Sequence, residues 1–137
     1  MNRIISLLLL PLLAVSFPAV ACKMLVRYPA HLEHLNAQER GHFYVVAIKG
    51  ESQGRYIAKV ERAFGGLLRP GETTEVRFLR GEESHAICPI ELKSGRTYLL
   101  RSTSEGREIE VSRYNWLNVP STHERFGGYV QDLIAGR

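Results

Sequence analysis

Residues 42–49, His-Phe-Tyr-Val-Val-Ala-Ile-Lys, set six apolar or aromatic side chains in unbroken succession. Aromatic and β-branched residues favour extended chain, and a strand turns successive side chains to opposite faces. A run without alternation is therefore expected to be covered on both faces. Whatever this chain folds into has to supply two layers against that one strand.

The strands that follow alternate. Over residues 55–64, Tyr56, Ala58, Val60 and Phe64 are expected to face a core, with Arg55, Lys59 and Glu61 in water. Over residues 73–80, Val76 and Phe78 point inward and Glu75 and Arg77 outward. The connections are short. Residues 50–54 are small and polar, Gly65-Gly66 relaxes the backbone, and Arg69-Pro70-Gly71-Glu72 places Pro and Gly where a type II turn needs them. A polar loop, Gly81-Glu82-Glu83-Ser84, leads to Cys88. Residues 96–102 form the next strand, entered through the Ser94-Gly95 turn. Residues 107–114 turn back after Ser104-Glu105-Gly106, with Ile109 and Val111 inward, and a hairpin is the economical pairing.

Two helical segments flank the strands. Residues 31–40 follow Pro29 and stop at Gly41, with Leu32 and Leu35 on one face. Ser121-Thr122-His123-Glu124 has the form of a capping box, Ser121 as N-cap and Glu124 at N3, ahead of Phe126, Tyr129, Val130 and Leu133 at helical spacing. About five strands with short turns and a helix at each end predict a mainly β domain, a small closed barrel or a sandwich. The lack of long helical patterns between strands argues against a parallel sheet.

The chain of 137 residues is one domain's worth, and 45% hydrophobic with 23% charged residues is an ordinary globular balance. A net charge of +4 suits an anionic partner, although a solvated surface accounts for it as well. Residues 1–21 read as a signal peptide: Arg3 supplies the positive start, residues 4–15 the apolar stretch, and Ala19-Val20-Ala21 an A-x-A cleavage pattern. Residues 22–137 are then a single exported domain, secreted or periplasmic. In such a compartment Cys22 and Cys88 are expected to form a disulfide. Its loop of about 67 residues would contribute roughly 4 kcal/mol through chain entropy. The competing reading makes Cys22 a lipidated anchor on a bacterial membrane, which would leave Cys88 an odd thiol.

The cysteine at the mature start, the strand Phe43-Tyr44-Val45-Val46-Ala47-Ile48-Lys49-Gly50, and Cys88 ahead of Leu92-Lys93-Ser94-Gly95-Arg96-Thr97-Tyr98-Leu99-Leu100 resemble the netrin-like modules. Those include the tissue inhibitors of metalloproteinases. The resemblance implies a five-stranded Greek-key OB-fold barrel with flanking helices and a Cys22–Cys88 bridge. It also implies that the Cys22 amine and carbonyl act as zinc chelators on a protease. The inhibitors begin C-x-C, whereas Cys22 is followed by Lys23-Met24, which separates the implied fold from the implied inhibition.

Other chemistry is thin. His31-x-x-His34 with His42 has no helical H-E-x-x-H spacing, and a solvated helix face accounts for it better than zinc. Ser84-His85 belongs to no triad, and no phosphate-binding glycine loop is present. No enzyme, cofactor or metal is expected. Tyr44, Tyr56, Phe78, Tyr98, Tyr114 and Trp116 interleave with Arg55, Arg77, Arg80, Arg96, Arg101 and Arg113. Export argues against nucleic acid, and most of these rings are expected to fill the core. Tyr114 and Trp116 stand out as candidate binding residues for an extracytoplasmic protein or polymer. Intact mass of the exported protein tests this reading: loss of residues 1–21 with a gain of about two daltons on reduction is expected for the bridge, and added acyl mass would establish the anchor instead.

Overall fold

The computed structural model describes residue 32 and residues 41–81, 90–113 and 117–136. The signal segment, the first helix apart from Leu32, both cysteines, Tyr114 and Trp116 lie outside the described residues.

The fold is mainly β with one C-terminal helix, α1 (Phe126–Ile134). Six strands, β1 (His42–Ser52), β2 (Arg55–Phe64), β3 (Thr73–Phe78), β4 (Thr97–Ser102), β5 (Ile109–Val111) and β6 (Val119–Pro120), form a mixed sheet in the order β5-β3-β2-β1-β4-β6. The short sixth strand, antiparallel to β4, was not expected from sequence. The sheet curls. β5 stands at one end of the order, yet the Thr103 N–H donates to the Glu110 carbonyl at 2.8 Å, tying β5 to the end of β4.

β1 is covered on both faces, as its unbroken apolar run requires. Tyr44, Val46 and Ile48 enter the inside of the curl with Ala58, Val60, Val76, Tyr98, Leu100, Ile109 and Val111. Phe43 and Val45 face the other way and meet Leu99, Leu117, Val119 and the α1 residues Tyr129 and Val130. Val46 and Ile48 are fully removed from solvent, and burial of each such side chain contributes about 1.5–3 kcal/mol.

Turn chemistry follows the residues. β1 runs on to Ser52, further than expected, and the reversal is confined to Gln53-Gly54, both at positive φ (53° and 74°), the two-residue hairpin that matches strand twist. Gly71 takes φ 91° after Pro70, and the Glu72 N–H reaches the Arg69 carbonyl at 3.2 Å, the type II turn expected there. Gly95, at φ 82°, completes the Ser94-Gly95 turn, and Leu92 ahead of it is buried in the inner core. The Tyr98 hydroxyl fastens this approach, accepting from the Lys93 N–H at 2.8 Å and donating to the Glu91 carbonyl at 3.2 Å.

Three expectations are corrected. Phe64 does not join Tyr56, Ala58 and Val60. Val45 pairs with Arg62 but Val46 with Val60, so Glu61 is a bulge that reverses the alternation and sends Phe64 to the outer face, opposite Phe43. β5 does not ladder with β4 as a hairpin. It runs parallel to β3, with Val76, Arg77 and Phe78 opposite Ile109, Glu110 and Val111. The capping box does not form either. The Ser121 N–H continues the sheet to the Thr97 carbonyl at 2.9 Å, residues 121–125 are turns, and α1 starts at Phe126 with Arg125 as N-cap and no side-chain cap. Instead, His123 Nδ1 accepts from the Arg125 N–H at 3.0 Å. The apolar stripe was read correctly: Phe126, Tyr129, Val130 and Leu133 pack on the outer face of the sheet. Buried Asp132 accepts the Leu32 N–H at 3.2 Å, which holds that residue against α1.

Gly66 has a reason beyond loosening the backbone. At φ 75° it lies against the buried Tyr44 hydroxyl, which has no hydrogen-bond partner among the described residues, and a Cβ there would overlap that oxygen. Gly54, at φ 74°, has open space around it. Gly54→Ala is therefore expected to cost about 1 kcal/mol from backbone strain alone, and Gly66→Ala about 3 kcal/mol. Tyr44→Phe should gain about 1 kcal/mol by removing an unsatisfied hydroxyl and should rescue much of the Gly66→Ala loss. Urea unfolding of the four variants checks this; equal losses at the two glycines would contradict the packing.

Candidate functional site

The parallel register of β3 and β5 sets their C-terminal ends side by side. Past those ends the chain carries Leu79 and Arg80 on one side and Arg113 on the other. The β1–β2 turn reaches the same place with Gln53, Gly54 and Arg55. Together with Arg77 and Phe78 these residues line a cleft of about 250 Å³. Alternation turns Arg55 and Arg77 away from the inner core that Tyr56, Val76 and Phe78 meet, and at the end of β3 both Arg77 and Phe78 border the cleft. The Arg113 guanidinium carbon stands 4.3 Å from the centre of the Phe78 ring, a cation–π contact. Phe78 in turn takes Tyr56 edge-on, with ring centres 5.9 Å apart at 84°.

Among the described residues, four arginines and no acidic residue line this cleft. Two are held from outside it. Arg55 pairs with Glu75 at 3.0 Å, and Arg77 bridges Glu108 at 2.7 Å and Glu110 at 2.8 Å. These pairs are partly exposed, so each is worth no more than about 1 kcal/mol, and their main effect is to orient the arginines. The Arg77 Nε–H is buried with no acceptor among the described residues. Arg80 is exposed and has no ion-pair partner among the described residues. The Tyr56 hydroxyl has its pKa raised above 10.0, first by burial and then by the charge of Glu51, with Arg113 pulling it down.

Two other concavities carry less chemistry. A groove of about 230 Å³ between α1 and the sheet is lined by Val45, Phe126 and Val130 with a single Glu61 and Arg62. A hollow beside Thr74 and Arg107 also includes Glu75 and Glu108, so its two carboxylates outnumber its one guanidinium.

The sequence-predicted site residues divide sharply. Cys22, Cys88, Tyr114, Trp116, His31, His34, Ser84 and His85 lie outside the described residues. His42 opens β1, half-buried beside Gly65. Among the described residues no group of three His, Cys, Asp or Glu is placed to hold a metal ion. Of the interleaved aromatic residues, Tyr44 and Tyr98 are core, while Phe78 lines the arginine cleft and Tyr56 packs edge-on against it. The gathering of Arg55, Arg77, Arg80 and Arg113 was the feature missed; only the β3–β5 pairing reveals it. No family model, curated protein or solved structure matches this chain.

Because burial and Glu51 both favour the neutral phenol, Tyr56 keeps its proton longer in the folded chain than in the unfolded one. Its contribution to stability is fully present below pH 10.0 and is lost as pH rises through the raised folded value. Glu51→Gln should lower the Tyr56 pKa and Arg113→Gln should raise it. Ring resonances followed through alkaline pH read both shifts, and a null or reversed effect of Arg113→Gln would mean that its charge does not reach the ring.

Proposed function

We propose that this chain is an exported, non-enzymatic binding module of the OB-fold type, whose partner is an anionic macromolecule of the envelope or extracellular space. The fold part of the reading is supported by strand connectivity. β1, β2 and β3 form an antiparallel meander, β4 returns beside β1, and β5 lies parallel to β3 while bonded to the end of β4. A five-stranded Greek-key barrel of the OB type needs that set of pairings, with β6 and α1 as additions to it. The netrin-like kinship suggested by the residues around Cys88 is consistent with the same connectivity. Metalloprotease inhibition and lipid anchoring both hang on Cys22, outside the described residues, and neither gains support from the cleft.

The observation that carries the functional reading is the cleft itself: four arginines, with Arg113 on the Phe78 ring and Arg55 and Arg77 paired to carboxylates, and no acidic lining residue among those described. Oriented guanidinium groups at the mouth of a small barrel raise the local concentration of anions and bind their oxygens through paired N–H groups. Retention on immobilised dextran sulfate tests the reading. Arg80→Gln with Arg113→Gln should elute at markedly lower salt than the parent chain. Lys59→Gln with Arg62→Gln, two exposed β2 charges outside the cleft, removes the same charge and should shift elution far less. Equal shifts would mean that net charge alone drives retention, and the cleft would lose its role.

A further inference from the structure

We infer that residues 65–71, the connection from β2 to β3, form a hinged plug in the end of the curled sheet away from the arginine cleft, and that swinging the plug out hydrates the Tyr44 hydroxyl. The closed state sets two terms against each other. Leu68 enters the inner core with Tyr44 and Val60, and it is the only buried residue of the seven. Its neighbour Leu67 is exposed. One side chain therefore closes this end, and its burial is the main apolar gain from keeping the loop down. Against it, the same loop lays Gly66 on the Tyr44 hydroxyl, which is shut away from solvent with no hydrogen-bond partner among the described residues. Leaving a buried hydroxyl unpaired costs free energy of the same order as burying one aliphatic side chain gains. Opening loses the gain and removes the cost together, so the loop leaves its seat far more readily than the sheet around it melts.

The backbone can pivot at both ends of the seven. Gly65 and Gly66 take φ 82° and 75°, and Gly71 takes φ 91°. Without a Cβ, these residues move between left- and right-handed backbone at little cost, which is what a hinge has to absorb. Between the hinges, Pro70 holds a fixed φ and keeps the moving piece short of slack. The ladder between β1 and β2 ends at Phe64, just before the first hinge. At the second hinge the Gly71 N–H donates to the Val60 carbonyl at 2.7 Å, a bond that must break when the loop swings out. Glu72, the next residue, is paired with Arg107 at 2.8 Å across to the β4–β5 connection, which makes Gly71 the limit of the moving piece.

Native-state hydrogen exchange of the full chain reads the opening at the Gly71 amide. Gly71 is expected to exchange through a local route that low urea hardly changes, while the β1 amides exchange only through the urea-dependent global route. Leu68→Ala, which shortens the plug, should speed Gly71 exchange at least tenfold by that local route. Tyr44→Phe removes the group that gains water on opening and should slow it about fivefold. The parent chain and Tyr44→Phe carry the test by themselves if Leu68→Ala does not fold. Gly71 exchange that follows the β1 amides through urea would show no separate opening and overturn the hinge. A local route unchanged by Leu68→Ala would be fraying of one hydrogen bond with Leu68 still seated, and would overturn the plug. A local route not slowed by Tyr44→Phe would mean that the opened loop leaves the hydroxyl dry, against the inference.

Discussion

β5 is only three residues long, but it is bonded on both sides. Ile109, Glu110 and Val111 run parallel to β3, and the Glu110 N–H and carbonyl also reach Ser102 Oγ and the Thr103 N–H at the end of β4. That double attachment forces the sheet to curl, because β3 and β4 are otherwise separated by β2 and β1. The curl then gives Val76, Ile109 and Val111 an opposite wall in Tyr98 and Leu100. Apolar burial on this scale outweighs the partly exposed ion pairs between Arg77 and its two glutamates, which contribute about 1 kcal/mol each at most. Hydrophobic closure therefore sets the pairing, and the charges trim the register.

The same pairing builds the cleft. Two strands running in one direction end together, so the residues that follow them become neighbours although they are distant in sequence. Arg113 reaches Phe78 in this way, and the Gln53-Gly54 hairpin fills the third side. In a flat sheet with a simple β4–β5 hairpin, β2, β1 and β4 would all lie between β5 and β3, and the four arginines would be spread over the surface as ordinary solvated charges. The outer layer is independent of this arrangement. Phe64, moved outward by the Glu61 bulge, joins α1 in covering β1 and leaves the cleft open.

Much of the scaffold was legible because its signals are local. The unbroken run in β1, the Pro70-Gly71 and Ser94-Gly95 turns and the α1 stripe each need only a few neighbouring residues to be read. The failures were non-local. Nothing at Glu61 marks a bulge, since a charged residue in an alternating strand looks like any outward position. Ser121-x-x-Glu124 has the letters of a capping box, but the sheet holds the Ser121 N–H before a helix can use it. Ile109 and Val111 fit a hairpin and a parallel ladder equally well by alternation, so the parallel partner, and with it the arginine cleft, could not be read from the strand alone.

The pairing of β5 is accordingly the point at which the account is most exposed. Cross-strand NOEs between backbone protons of β3 and β5 measure it directly. The structure predicts contacts linking Val76 with Ile109, Arg77 with Glu110 and Phe78 with Val111, advancing in the same direction along both strands. Contacts from β5 to β4 alone, advancing in opposite directions and with none to β3, would contradict the curl and the cleft together.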